Sequence, residues 1–157
     1  MRKLVESLEE LRMPVTVKKI TLWRAEVDNQ PGTLANIVGP LAKAGADLKV
    51  LMGYRIHGSG GKAAIEVCPI AGKKLVAAAQ AAGLIPSAIP TLLVEGDDKP
   101  GLGYAIAQAV AGAGINFAFF VAQVIGRKYS VVMGFETEDD AKKAIPAIKK
   151  AAAAKKR

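Results

Sequence analysis

The sequence predicts an α+β fold built from two similar units in tandem, and two observations support this prediction. The segment from Asp28 to Leu34 (DNQPGTL) recurs from Asp97 to Gly103 (DDKPGLG), 69 residues further along the chain. Each copy follows a pattern typical of a strand and precedes a pattern typical of an apolar helix. A chain of 157 residues suits two small domains of about 70 residues that each bury a modest core.

The N-terminal segment predicts a short amphipathic helix over residues 1–12, because Leu4, Leu8 and Leu11 recur at helical spacing before Pro14. The first unit is then predicted to contain a strand over residues 15–27, a helix over 32–44, strands over 46–56 and 62–70, and a helix over 72–82. Gly45 and Gly83 are expected to end the two helices. Residues 84–90 form either a short fourth strand or a linker.

The second unit repeats this order, with a strand over residues 91–95, a helix over 101–113 that Gly114 is expected to end, strands over 115–125 and 129–135, and a helix over 138–153. The βαββα order is ferredoxin-like, with helices on one face of an antiparallel sheet. Because no strand pattern follows the last helix, the second unit either is incomplete or borrows an edge strand, for which residues 15–17 are the candidate. The predicted divisions are residues 1–14, 15–88 and 89–157.

The net charge of +8 is concentrated at the C-terminal end, where residues 141–157 contain seven basic residues and no acidic one. Such a segment can contact nucleic-acid phosphates, but it also fits a helix end whose lysines face solvent. The solvated helix is favoured because no aromatic residue lies among the lysines to stack on a base. An RNA-binding protein that uses this helix remains an alternative function.

No apolar run approaches the roughly 18 residues that span a bilayer, and the charged start lacks the apolar core of a signal peptide. We therefore expect a cytoplasmic protein without a membrane partner. The single cysteine, Cys68, excludes an intrachain disulfide and lies in an apolar strand pattern, which favours a buried thiol.

Catalytic and cofactor patterns are absent or incomplete in the sequence. One histidine and one cysteine cannot supply a zinc site, and Ser59 lies in a glycine-rich hairpin rather than in a strand-to-helix turn. Gly101 and Gly103 imitate the start of a dinucleotide fingerprint, but Ile106 replaces its third glycine. We expect no enzyme activity, no catalytic residue, no metal and no cofactor.

The repeated loop has the physical properties of a ligand site. Pro31 suits the first position of a helix, and Gly32 leaves the following amides open, so that a carboxylate could bind there. Asp28 or Asn29 could accept hydrogen bonds from an ammonium group, although both side chains could instead simply cap the helix. We expect Leu34 to pack under the loop. The predicted ligand-binding residues are Asp28, Asn29, Gln30, Pro31, Gly32, Thr33 and Leu34, with Asp98 and Gly101 in the second copy.

The sequence Asn29-Gln30-Pro31-Gly32-Thr33-Leu34, placed between a strand and a helix that ends in Ala44-Gly45-Ala46-Asp47-Leu48, resembles the ACT-domain family. This resemblance implies a regulatory module that binds a small amino acid at the loop and at domain or subunit interfaces, in a homodimer or larger homo-oligomer. The second copy departs from the family pattern, since Gly103 replaces the leucine. A structural subunit without a ligand remains a further alternative.

Overall fold

A computed structural model of the chain describes Met1 and residues 15–153. The predicted N-terminal helix and the last four residues lie outside this range. The described chain has an α+β fold with two four-stranded sheets, which confirms the predicted fold class. It divides into a first-repeat unit, Ile20–Ala88, and a second-repeat unit, which combines Ile89–Arg157 with Met1–Lys19. Strand β1 (Val15–Ile20) belongs to the second sheet and is described with it.

The first-repeat unit contains β2 (Trp23–Asp28), α1 (Thr33–Lys43), β3 (Val50–Arg55), β4 (Lys62–Cys68), α2 (Lys73–Ala81) and β5 (Ile85–Pro86). Its strands lie in the order β3-β4-β2-β5, so the segment 84–90 supplies a short fourth strand. Alternate residues of the central strands, including Ala25 and Ile65, pack against Leu41 of α1 and Ala79 of α2. The helices therefore cover one face of the sheet.

Glycine ends the three shorter helices in the same way. At the end of α1, Gly45 has a φ of 84°, its amide bonds to Ala42 O at 3.0 Å, and the amide of Ala46 bonds to Leu41 O at 3.0 Å. This pair of bonds is a Schellman motif, which requires a left-handed residue and therefore favours glycine. Gly83 and Gly114 close the other two helices with the same pattern.

The second-repeat unit contains β6 (Thr91–Asp97), α3 (Leu102–Gly112), β7 (Phe117–Ile125), β8 (Lys128–Phe135) and α4 (Glu138–Ala153). Its sheet has the order β1-β6-β8-β7, so β1 supplies the fourth strand that the repeat itself lacks. The expected borrowed strand is thereby confirmed. Val15 of β1 is buried in the same core as Leu92, Ile106 and Met133.

The prediction of one continuous strand over residues 15–27 was wrong. The structure ends β1 at Ile20 and starts β2 at Trp23, and the two strands belong to different sheets. As a result, Val15–Lys19 groups with the second repeat, although the first domain was predicted to begin at residue 15. No glycine, proline, asparagine or aspartate lies between residues 15 and 27, so local turn signals could not reveal the break.

A buried polar pair distinguishes the first sheet from the second. Arg24 lies directly opposite Glu66 on neighbouring strands. Glu66 is only 1% exposed, its Oε1 lies 3.5 Å from Arg24 Nη1, and its Oε2 accepts a 2.9 Å hydrogen bond from Tyr54. Burial lowers the pKa of Arg24, but hydrogen bonds to Glu26 and Tyr54 outweigh burial and raise it overall.

In the second sheet, an apolar pair takes the place of this polar one. Leu93 lies directly opposite Val132, at the strand positions that correspond to Arg24 and Glu66. Leu93 and Val132 are both 7% exposed. The two repeats thus show that one sheet position accepts either a matched charged pair or a matched apolar pair.

We expect Glu66→Val to lower the free energy of unfolding by about 1 to 3 kcal/mol, because it removes the buried acceptor of Arg24 and Tyr54 while Arg24 keeps its ion pair with Glu26. The double variant Arg24→Leu/Glu66→Val copies the second repeat and should lie within about 1 kcal/mol of the wild type. Urea denaturation of the three proteins measures both values. A double variant as unstable as Glu66→Val would show that the pair cannot be replaced in this sheet.

Candidate functional site

The repeated Pro-Gly sequence forms a tight turn before each helix. The amide of Thr33 donates to Gln30 O at 3.2 Å, and Gly32 has φ 86° and ψ −10°. These values define a type II turn, with Pro31 at its second position and Gly32 at its third. The prediction that Pro31 starts the helix was therefore wrong: the turn uses the fixed φ of proline, and α1 begins at Thr33.

The alternative that Asp28 and Asn29 only cap the helix is also wrong, because no side chain caps α1. Asp28 Oδ1 instead pairs with Lys62 Nζ at 2.6 Å, and the backbone amide of Asn29 donates to Gly61 O at 2.9 Å. Within the described residues, the amides of Leu34 and Ala35 have no hydrogen-bond acceptor. The start of α1 therefore retains two free donors at the positive end of the helix dipole.

Leu34, the first of these two residues, lines a groove of about 260 Å³, which we call the first groove. It separates the start of α1 from the strands β2, β4 and β3. The lining residues are Val27, Asn29, Gln30, Gly32, Thr33, Leu34, Gly53, Tyr54, Arg55, Ala63, Ala64 and Ile65. Five of the seven residues predicted in this copy are among them, whereas Asp28 and Pro31 are not.

Leu34 forms a wall of the first groove. It is 45% exposed, so the expectation that it packs under the loop was wrong. A Cβ added to Gly53 would lie 3.8 Å from Leu34 Cδ1 and 4.0 Å from its Cδ2. The missing side chain of Gly53 therefore keeps the groove open between Leu34 and strand β3.

The floor of the first groove includes a row of three residues across the sheet. Val27 lies opposite Ala63, and Ala63 lies opposite Arg55. Directly opposed residues of antiparallel strands point to the same face, and Val27 packs in the core beneath the helices. The sequence analysis missed Ala63 and Arg55, because only the strand register brings them next to the loop.

The second repeat forms a corresponding groove of about 320 Å³, the second groove, beside the predicted residues Asp98 and Gly101. Gly101 has a φ of 83° and starts α3 through the same turn. Here the row is Gly96, Tyr129 and Val124. Tyr129 is 5% exposed, and burial raises its pKa to about 12. A buried neutral phenol thus stands where Ala63 stands in the first repeat.

An ion pair joins each loop to the neighbouring hairpin. Lys62 pairs with Asp28 in the first repeat, and Lys128 pairs with Asp97 in the second. The hydrogen bond and charge of Lys128 lower the pKa of Asp97. Because all four side chains are exposed, these pairs position the loops and contribute little to global stability.

Residues that could support other chemistry are dispersed. Over residues 15–153, no group of three or more His, Cys, Asp or Glu side chains could hold a metal ion. Cys68 is buried, as the sequence predicted, and burial raises the pKa of its thiol. Ser59 donates its hydroxyl to Ile56 O at 2.6 Å within the hairpin loop. None of the described helices is long and apolar enough to cross a membrane.

Several solved structures share this fold at low sequence identity. A protein from Bacteroides thetaiotaomicron is 13% identical, with a TM-score of 0.67 over 83% of this chain and 88% of its own. The ligand-free regulatory subunit of aspartate kinase from Thermus thermophilus is 19% identical, with a TM-score of 0.57 over 87% of this chain and 96% of its own. The regulatory subunit of aspartate kinase from Thermus flavus is 18% identical, with a TM-score of 0.58 over 88% of this chain and 96% of its own.

No model of a known protein family matches the chain. No curated protein matches its sequence. The likeness to solved structures establishes the tandem ferredoxin-like fold, which by itself does not determine function.

Proposed function

We propose that this chain is a cytoplasmic regulatory module of the ACT type, without a catalytic role, that binds a small amino acid in the first groove. The observation that carries the proposal is the groove itself, which is lined by Asn29, by Leu34 with its free amide, and by an open floor. The resemblance of the chain's fold to regulatory subunits of aspartate kinase adds support.

The groove offers complementary groups to each part of an amino acid. A carboxylate can accept hydrogen bonds from the two helix-start amides, where the helix dipole also favours negative charge. The side-chain oxygens of Asn29 and Gln30 can accept from the ammonium group. Leu34 and Ile65 supply apolar surface for the aliphatic part of the ligand.

We further propose that the chain forms a homodimer or larger homo-oligomer through strand β7. This strand lies at the edge of its sheet and contains no charged residue in its sequence FAFFVAQVI. Val121, Val124 and Ile125 are 48%, 55% and 69% exposed. A long uncharged edge favours pairing with another strand, and a ligand that binds one assembly more tightly shifts the equilibrium toward it.

The RNA-binding alternative receives no support from the second-repeat aromatic residues. Phe117 and Phe120 contact each other at a ring-centroid distance of 5.1 Å and pack against the core. Tyr129 is buried as well. Ferredoxin-like RNA binders need such rings exposed on the sheet for base stacking, so these three residues do not favour nucleic acid as a partner.

A thermal-shift panel of the twenty amino acids tests the ligand. A ligand at 100 times its dissociation constant should stabilise the wild type by about 2.7 kcal/mol. Gly53→Val should abolish this shift by filling the first groove, since a Cβ there meets only Leu34 at ordinary contact distance. Ala122→Val is the matched control in the second groove and should retain the shift. Gly32→Val is unsuitable because its φ of 86° strains any side chain.

If no amino acid stabilises the wild type, the structural-subunit alternative replaces this proposal. If Ala122→Val abolishes the shift and Gly53→Val does not, the ligand binds in the second groove.

We expect Val121→Lys to convert the oligomer to monomers at micromolar concentration, because a charge at the centre of the paired edge would be desolvated. Light scattering measures the mass. Val121→Thr keeps a β-branched side chain and serves as the control that should remain oligomeric. A monomeric wild type would contradict the proposed assembly.

A further inference from the structure

We infer that the first groove selects an amino acid that carries a second carboxylate, and that Arg55 is the residue that determines this specificity. The inference rests on the proposed function. It depends on the position of Arg55, on its lack of an ionic partner, and on the comparison with the second groove.

Strand register places the Arg55 side chain on the groove side of the sheet. Arg55 lies directly opposite Ala63, which lies directly opposite Val27. Since opposed residues share a face and Val27 packs beneath the helices, Arg55 extends from the same face as the start of α1. Ala63 between them is small, so the groove stays open from the helix start to the guanidinium.

The charge of Arg55 is not neutralised by the protein. Among the described residues, the Arg55 side chain has no ion pair or hydrogen bond, whereas Arg24, Lys49 and Lys62 in the same unit each pair with a carboxylate. An arginine guanidinium can bind a carboxylate through two parallel hydrogen bonds. The groove therefore has two separate places for negative charge, the free helix amides and Arg55.

An amino acid with two carboxylates satisfies both places at once. Its α-carboxylate can accept from the amides of Leu34 and Ala35, and its side-chain carboxylate can accept from Arg55. Asn29 can then receive the ammonium group. A neutral amino acid would fill only the first place and would leave the guanidinium unpaired.

The second groove provides an internal comparison. The corresponding row is Gly96, Tyr129 and Val124, so valine replaces the arginine and a buried phenol takes the position of Ala63. The second groove is lined by Lys99, which donates to Ala152 O at 3.3 Å, and by Asp98, whose negative charge offsets that of the lysine. The second groove therefore has no arginine at the position of Arg55 and no net positive charge from these two loop residues.

Calorimetric titration of the full chain with L-aspartate, L-glutamate, L-asparagine and L-glutamine tests the inference. We expect at least one acidic amino acid to bind about 10-fold or more tightly than its amide, with the difference shrinking as salt is added. Arg55→Val copies the second repeat and should remove the preference. Arg127→Val removes an exposed arginine of the second hairpin turn, which does not line the first groove, and is the matched control that should leave the preference unchanged.

Three results would overturn the inference while the proposed function stands. The first is equal affinity for each acid and its amide. The second is an equal loss of acid and amide binding in Arg55→Val, which would place the α-carboxylate on Arg55. The third is a preference for an acidic ligand that survives in Arg55→Val. If no amino acid binds the wild type, the proposed function fails and the inference fails with it.

Discussion

The left-handed glycine after proline is the constraint on which both repeats depend. Gly32 and Gly101 have φ values of 86° and 83°, which only glycine adopts without strain. Each completes a type II turn that carries the chain from the end of a strand to the start of a helix over the sheet. Because no side chain caps α1 or α3, the first amides of each helix remain available. The backbone therefore supplies hydrogen-bond donors at one end of each groove, whichever side chains line the rest of it.

The two repeats share this turn but differ in pairs of residues that lie directly opposite each other on neighbouring strands. The opposed residues Val27 and Ala63 correspond to Gly96 and Tyr129, so a smaller residue on one strand accompanies a larger residue on the next. Arg24 and Glu66 correspond to Leu93 and Val132 in the same manner. Paired exchange keeps the local volume or charge balanced, which explains how one fold can hold two grooves of different character. The first has Arg55 and a small Ala63 in its lining, and the second has Val124 and a buried phenol at the corresponding positions.

The proposed ligand site and the proposed assembly surface both involve sheet edges. The first groove opens along β3, the edge strand of its sheet, and β7 is the corresponding edge strand of the second. Edge strands expose unpaired backbone groups that favour association with another chain. The two edges belong to different units, since the proposed ligand lies beside β3 and the proposed pairing uses β7.

The sequence by itself determined the features that depend on local periodicity and turn chemistry. The helices α1, α2 and α3 were predicted within one residue at each end, and α4 was predicted with its observed bounds. The glycines that end the first three helices were also predicted. Both predictions succeeded because helical spacing and left-handed glycine are short-range properties. The loop residues Asn29, Gln30 and Gly32 were predicted for the same reason. Only the tertiary structure decided which sheet receives β1, because no turn residue separates β1 from the strand that follows it. It also decided that Arg55 and Ala63 face the loop, since strand register, a long-range property, sets which residues lie opposite one another.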